Sequence, residues 1–203
     1  DDDEVDRYLA AIEATGITVT CSHASYLINL ASPDRTLNAK SLRALKIEVE
    51  RCNQLQIPHL VFHPGSHVGS GADRGMARIA RNMSRALSEV ADNRVTLCLE
   101  TTAGTGDNLG RKFEELAQII EMIEDTQYVG VCLDTCHIFA AGYPLTSEAD
   151  YKATMKQFAD TVGFDRLKVM HVNDSKTEQG SRRDRHEHIG QGHIGLSGFG
   201  HLV

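Results

Sequence analysis

The chain predicts an α/β fold in which parallel strands alternate with helices around a barrel, and two observations lead there. Five short and largely apolar runs (Ile17 to Cys21, His59 to Phe62, Val95 to Leu99, Tyr128 to Leu133, Leu167 to Met170) are separated by stretches with helical periodicity. Each run is followed within two residues by a side chain able to bind metal: His23, His63, Glu100, Asp134 and His171. Successive members of this series stand between 34 and 40 residues apart, an interval that one strand and one helix fill. With parallel strands all five reach the same edge of one sheet, the edge where α/β proteins place their active sites.

Taken in order, Val5 to Ala14 reads as a helix that should follow a strand. Arg43 to Leu55 sets Leu45, Val49, Cys52 and either Leu55 or Ile57 on one face, and Pro58 stops it before the second run. Arg74 to Val90 and Lys112 to Ile123 show similar periodicity, the latter following Gly110. Tyr151 to Val162 is the next helix, with Gly163 as its C-cap, and Ser197 onward reads as a helix cut short. No linker, low-complexity tract or charge block interrupts residues 1–203, so one domain is expected. An eight-unit barrel needs roughly 250 residues. Five strand units in 203 residues therefore suggest a partial (βα)8 barrel that begins and ends in mid-circuit.

Side chains at i and i+2 of a strand face the same way. Two residues before each candidate ligand stand Cys21, Val61, Cys98, Cys132 and Val169, all small and apolar, as a packed layer beneath a polar site requires. The cysteines read as inert filler of that layer, with metal ligation as the alternative.

Composition narrows the class. With 41% hydrophobic and 24% charged residues the chain can bury one sizeable core. No apolar run approaches a membrane span and no signal peptide is visible, which suggests a soluble, cytoplasmic protein without a membrane partner. Five cysteines, odd in number and without CxxC spacing, argue against a disulfide framework. A net charge of −7 opposes non-specific nucleic-acid binding. Bound divalent cations would reverse that sign locally.

Two loops add donors. In DTCH, His137 follows Asp134 by three residues, and a sharp turn could send the two to neighbouring metals. In RRDRHEH, Asp184 and His186 are close enough in sequence to share one ion, on what reads as a Gly-rich loop. Histidine and carboxylate without thiolate suit zinc or another first-row ion such as manganese. Singly, such a loop histidine is more often a surface residue or a satisfied donor, a reading that weakens when every strand end carries a donor.

The segments SYLINL (25–30), FHPGSH (62–67), ETTAG (100–104), NLG (108–110), VGVCLDTCHIFAAGY (129–143), HVND (171–174) and SRRDRHEHIGQGHIG (181–195) resemble, in order and over nearly the whole chain, the endonuclease IV family of apurinic/apyrimidinic endonucleases. The resemblance implies an eight-stranded α/β barrel with three zinc ions. It also implies a DNA-repair hydrolase that cuts double-stranded DNA 5′ to an abasic site, leaving 3′-hydroxyl and 5′-deoxyribose phosphate ends, and that works as a monomer. By motif, His23 and His63 resemble ligands of a first zinc, with Glu100 bridging to a second. Asp134 and His171 resemble ligands of that second ion, and His137, Asp184 and His186 those of a third. A further family glutamate on the last strand has no counterpart here, and neither do the family's first two strands. Tyr26 and Leu27 resemble the wedge inserted into DNA beside the flipped-out nucleotide, with ordinary loop packing as the alternative. Arg182, Arg183 and Arg185, with Lys176, make a phosphate-contacting patch or a solvated loop. His67, His188 and His193 fall outside the ligand set and are assigned to supporting hydrogen bonds or the DNA-facing loop.

Such a site supports metal-assisted phosphodiester hydrolysis, in which Glu100 is the central catalytic carboxylate. No Ser-His-Asp or Cys-His set competes with this reading; Cys136 and His137 are neighbours in sequence only. A metal-dependent sugar isomerase or epimerase on the same barrel is the rival enzyme, although it has no obvious use for the D-x-H loop. A non-catalytic metal- or DNA-binding module would need fewer donors.

Overall fold

The computed structural model describes residues 2–17 and 19–202. Its centre is a five-stranded sheet of β1 (Cys21–His23), β2 (His59–Phe62), β3 (Thr96–Glu100), β4 (Val129–Asp134) and β5 (Leu167–His171). The strands lie in sequence order and every adjacent pair is parallel. An order that never reverses is that of a barrel wall rather than a doubly wound sheet. Helices α1 (Asp2–Thr15), α2 (Arg35–Gln54), α3 (Ala72–Glu89), α4 (Phe113–Glu121) and α6 (Glu148–Thr161) alternate with the strands. The expected partial (βα)8 barrel is what forms.

The two faces of the sheet are chemically distinct because side chains alternate along each strand. Outward, Leu60, Phe62, Leu97, Leu99, Val131 and Leu133 join the main core. They pack there with Leu45 and Val49 of α2, Ile79 and Met83 of α3, Leu116 of α4 and Phe158 of α6. Burying each of these side chains is worth about 1.5–3 kcal/mol relative to exposure. Inward, Val61, Cys98, Cys132 and Val169 form a separate apolar cluster. That is the layer expected from the i, i+2 relation, except that Cys21 is exposed on the outermost strand.

Register steps across the sheet. His23 pairs level with Val61, two residues short of His63; Glu100 pairs level with Cys132, two short of Asp134; Asp134 then pairs level with His171. Such a stepped advance is the shear a barrel needs in order to close. One irregularity matters. Val131 pairs with Leu167 but Cys132 pairs with Val169, so Lys168 is an extra residue in β5. A bulge inverts the alternation beyond it, and this one turns Val169 and His171 to the inner face while Met170 packs outward on the main core.

Several boundaries differ from the sequence expectation. Strand β1 begins at Cys21 rather than Ile17, because Ile17 and Val19 are exposed and have no core to cover; Thr18 lies outside the described residues. Helix α2 begins at Arg35, well before Arg43, because the Asp34 carboxylate caps the Thr36 and Leu37 N–H groups at 2.8 and 2.9 Å. Helix α6 starts at Glu148 behind a Ser147 cap. The turn expected after Asp134 is instead a helix, α5 (Thr135–Ala141), which ends at Gly142 in the left-handed conformation with φ 119°. The loop of Asp184 and His186 contains a small antiparallel ladder of β6 (Asp174–Ser175) and β7 (His186–Glu187). The final helix, α7, spans Gly195–Phe199. No helix among the described residues is long and apolar enough to cross a membrane.

Candidate metal centre

The eight donors expected from the sequence meet at the C-terminal edge of the sheet. Glu100, buried at the end of β3, is the hub. One carboxylate oxygen lies 2.8 Å from His23 Nε2 and 3.1 Å from His63 Nε2, and the other lies 2.9 Å from His171 Nδ1 and 3.4 Å from His137 Nδ1. A second knot surrounds Asp184, whose oxygens stand 3.1 Å from His137 Nε2 and 3.2 Å from His186 Nε2. Buried Asp134 links the two, 3.8 Å from His171 Nδ1 and 3.7 Å from His186 Nε2.

Local structure explains each placement. His23, Glu100, Asp134 and His171 are the last residues of their strands and His63 follows its own, so all five rise from the inner face. Asp134 is also the N-cap of α5, its carboxylate accepting the His137 N–H at 2.9 Å. The DTCH motif is thus a strand end, a cap and a first helical turn, which swings His137 back over the sheet. Two ring nitrogens meet backbone carbonyls: His23 Nδ1, on the side away from Glu100, is 2.7 Å from Ala24 O, and His137 Nδ1 is 2.8 Å from Thr101 O as well as 3.4 Å from Glu100. Those contacts fix ring orientation, with Nε2 of His23 toward Glu100 and Nε2 of His137 toward Asp184.

Electrostatics match a donor cluster. Burial alone would raise the Glu100 carboxyl, but contacts from His137, His171, His23 and His63 hold it far below the usual carboxylate range. Burial would lower His137, yet Asp184 and Glu100 push it up to about 11. Contacts from His137 and His186 keep Asp184 well below its ordinary value, and Glu100 raises His23. The donor atoms of His23, His63 and Glu100 lie within 4.8 Å of one another, as do those of Asp134, His137 and His186. Imidazole nitrogens and carboxylate oxygens crowded this closely fit divalent first-row ions, which these residues would hold in place of several of the present contacts. Two thiols also come within that radius, Cys132 beside Glu100 and His171, and Cys136 beside Asp184 and His186. Burial raises both, which disfavours the thiolate that ligation requires.

Around the centre, Tyr26 and Leu27 project from the loop after β1 at 82% and 75% exposure, so little of either side chain is packed against the loop. Arg182, Arg183 and Arg185 are exposed between β6 and β7. His67 faces Asp107 at 3.8 Å, and His188 is exposed. Sequence reasoning missed the polar side chains that hold the donors. The Thr101 hydroxyl accepts the Asp134 N–H at 2.9 Å, Thr135 donates to Asn173 O at 2.7 Å, and Asn173 Nδ2 donates to the Asp134 carboxylate at 2.8 Å. Each is adjacent in sequence to a donor or stands two residues from one, which was the available signal.

The family model for xylose isomerase-like TIM barrels matches residues 1–203. A probable endonuclease 4 from Chloroflexus aggregans is 48% identical over 201 residues, covering 99% of this chain and 70% of that protein. Endonuclease IV from Thermus thermophilus superposes with a TM-score of 0.86 at 36% identity, over 99% of this chain and 70% of that one. A D-tagatose 3-epimerase-like protein superposes at 0.77 over 96% of this chain and 68% of its own, but at 18% identity it shares the fold alone. Identity of that extent with the nuclease, set against the fold-level likeness to the epimerase, places the chain in the endonuclease IV family.

Proposed function

We propose that this protein hydrolyses the phosphodiester bond 5′ to abasic sites in double-stranded DNA, using three divalent ions, most naturally zinc. Convergence of four imidazoles on the buried Glu100 carboxylate is the observation that carries the reading. His23, His63 and Glu100 would hold the first ion, Glu100, Asp134 and His171 the second, and His137, Asp184 and His186 the third. Such ions, when bound, bring the pKa of water toward ~7 and offset the charge of the attacked phosphate. In the reaction a water oxygen joins phosphorus, the P–O3′ bond breaks and a proton reaches the departing 3′ oxygen.

The chain's own groups prepare this chemistry. Glu100, held ionised by its histidines, remains an anionic donor throughout the working pH range. Carbonyl contacts at Ala24 and Thr101 orient His23 and His137. The exposed Tyr26 and Leu27 are suited to fill the gap left by a flipped-out nucleotide. Arg182, Arg183 and Arg185 are suited to supply phosphate contacts beside the donors of a chain whose net charge is −7. A monomer suffices, because all eight donors come from one chain.

Incision of a synthetic abasic duplex, with and without chelator, tests the proposal beside turnover of a sugar panel. Metal-dependent cutting 5′ to the lesion is expected. Sugar epimerisation without incision would overturn it.

A further inference from the structure

Asp174 contacts none of the eight donors, yet it is as completely enclosed as Asp134. Its side chain is fully buried. Among the described residues no Lys, Arg or His lies within ion-pair distance of it. Backbone N–H groups satisfy it instead: Ser175 and Ile194 donate to Oδ1 at 2.8 and 2.9 Å, and Gly190, Gly192 and Gly195 to Oδ2 at 3.0, 3.0 and 3.2 Å. An ionised carboxylate accepts several such bonds well. Segment 190–195 is therefore folded around one side chain. Gly192 shows how tightly, since a Cβ there would sit 2.5 Å from Asp174 Oδ1 and 2.4 Å from Ser175 O. Gly192 is not in the left-handed region, so closeness alone requires glycine.

The neighbours of Asp174 lead directly to the metal-binding donors. Before it, Asn173 donates to the Asp134 carboxylate and its own N–H bonds the Thr135 hydroxyl at 2.8 Å. After it, Ser175 pairs with His186 in the β6–β7 ladder, and Lys176 N–H donates to Arg185 O at 2.8 Å, between Asp184 and His186. Ladder β6–β7 is too short to be stable alone. We infer that Asp174 is a positioning residue for incision: by gathering segment 190–195 it fixes β6, and through β6 it sets Asp184 and His186 against His137.

This rests on the function proposed above but is tested separately from it. In the 203-residue chain, Asp174→Asn is nearly isosteric but turns an NH2 group toward the backbone donors. Gly192→Ala crowds the same carboxylate, together with the Ser175 carbonyl, without touching a donor. Amide hydrogen exchange, zinc retained after dialysis, and single-turnover incision of an abasic duplex are the readouts. Both variants should speed exchange in residues 184–195 while β1–β5 stay protected, and should lower zinc retention at one site. Incision should fall about 10- to 100-fold, the usual effect of removing a residue that orients metal ligands, with KM for the duplex little changed. The double variant should be little worse than the stronger single one, because both loosen the packing of segment 190–195 on Asp174 and β6. Unchanged exchange in residues 184–195 in both variants would overturn the inference, and so would exchange rising equally in β1–β5. If the parent chain fails to incise, the proposed function falls, while exchange and zinc retention still decide the role of Asp174.

Discussion

The two halves of the candidate metal centre are built differently. His23, His63, Glu100, Asp134 and His171 stand at the ends of five hydrogen-bonded parallel strands, so their spacing is set by the sheet and by the apolar layer beneath. Asp184 and His186 sit on or beside a strand of two residues, and His137 on the first turn of a short helix. Their spacing is set by side-chain clasps: the Asp134 cap, the Asn173 bridge and the Asp174 cradle. A sheet-borne half should tolerate loss of any single clasp, whereas the clasped half should be sensitive to groups that never touch an ion.

The largest effect should come from Glu100→Gln. This change removes the charge on which four histidines converge, and incision should fall by about a thousandfold or more, ~4 kcal/mol at the transition state. His186→Ala should be milder, about 10- to 100-fold, because it strips one donor from the clasped half only. Single-turnover rates on an abasic duplex compare the two directly. Equal, mild losses would mean that the halves do not differ as described.

Recognition comes next in size. Replacing Tyr26 and Leu27 together by Ala should weaken binding to abasic duplex about tenfold and to intact duplex far less, since a wedge acts only where unstacking belongs to the bound state. Its salt slope should hardly change. Changing Arg182, Arg183 and Arg185 should flatten the slope on both duplexes. Titrations at several salt concentrations separate the two. Unaltered discrimination by the Tyr26 and Leu27 variant would move lesion recognition elsewhere.

Proton linkage offers a further probe of the clasped half. Burial would lower the His137 pKa, but contacts from Asp184 and Glu100 push it up from 6.5 to about 11 in the folded chain. Its stabilisation is therefore full below about 6.5 and is lost as pH rises toward 11. Depressed Asp184 and Glu100 contribute stability above their unfolded pKa values, lost only as pH falls. Because metal binding needs neutral imidazole, the gap in Tm between metal-loaded and metal-free protein should widen by several degrees from about pH 6 to pH 9. A constant gap, measured by thermal shift, would mean that His137 gives up no proton to an ion. Smallest of all, Cys132→Ala should cost about 1–2 kcal/mol of stability from the packed layer and leave the metal content unchanged. A lost equivalent of metal would make this thiol a ligand.

Local pattern along the chain was enough for the strand-and-helix beat, the five strand-end donors and the layer of Val61, Cys98, Cys132 and Val169. These depend on periodicities of two and 3.6 residues that the backbone imposes over a few neighbours. The same reading carried the DTCH and RRDRHEH donors, though not their geometry, since Asp134 as a helix cap and His186 as a ladder residue depend on which hydrogen bonds the surroundings leave open. Two further points depend wholly on distant contacts. The Lys168 bulge turns His171 inward through pairing with a strand more than thirty residues away. Asp174, one more acidic residue in a polar loop when read along the chain, becomes an anchor only when Gly190, Gly192 and Ile194 fold back over it. Both are long-range hydrogen-bonding outcomes, and neither leaves a periodic trace in the residues that take part.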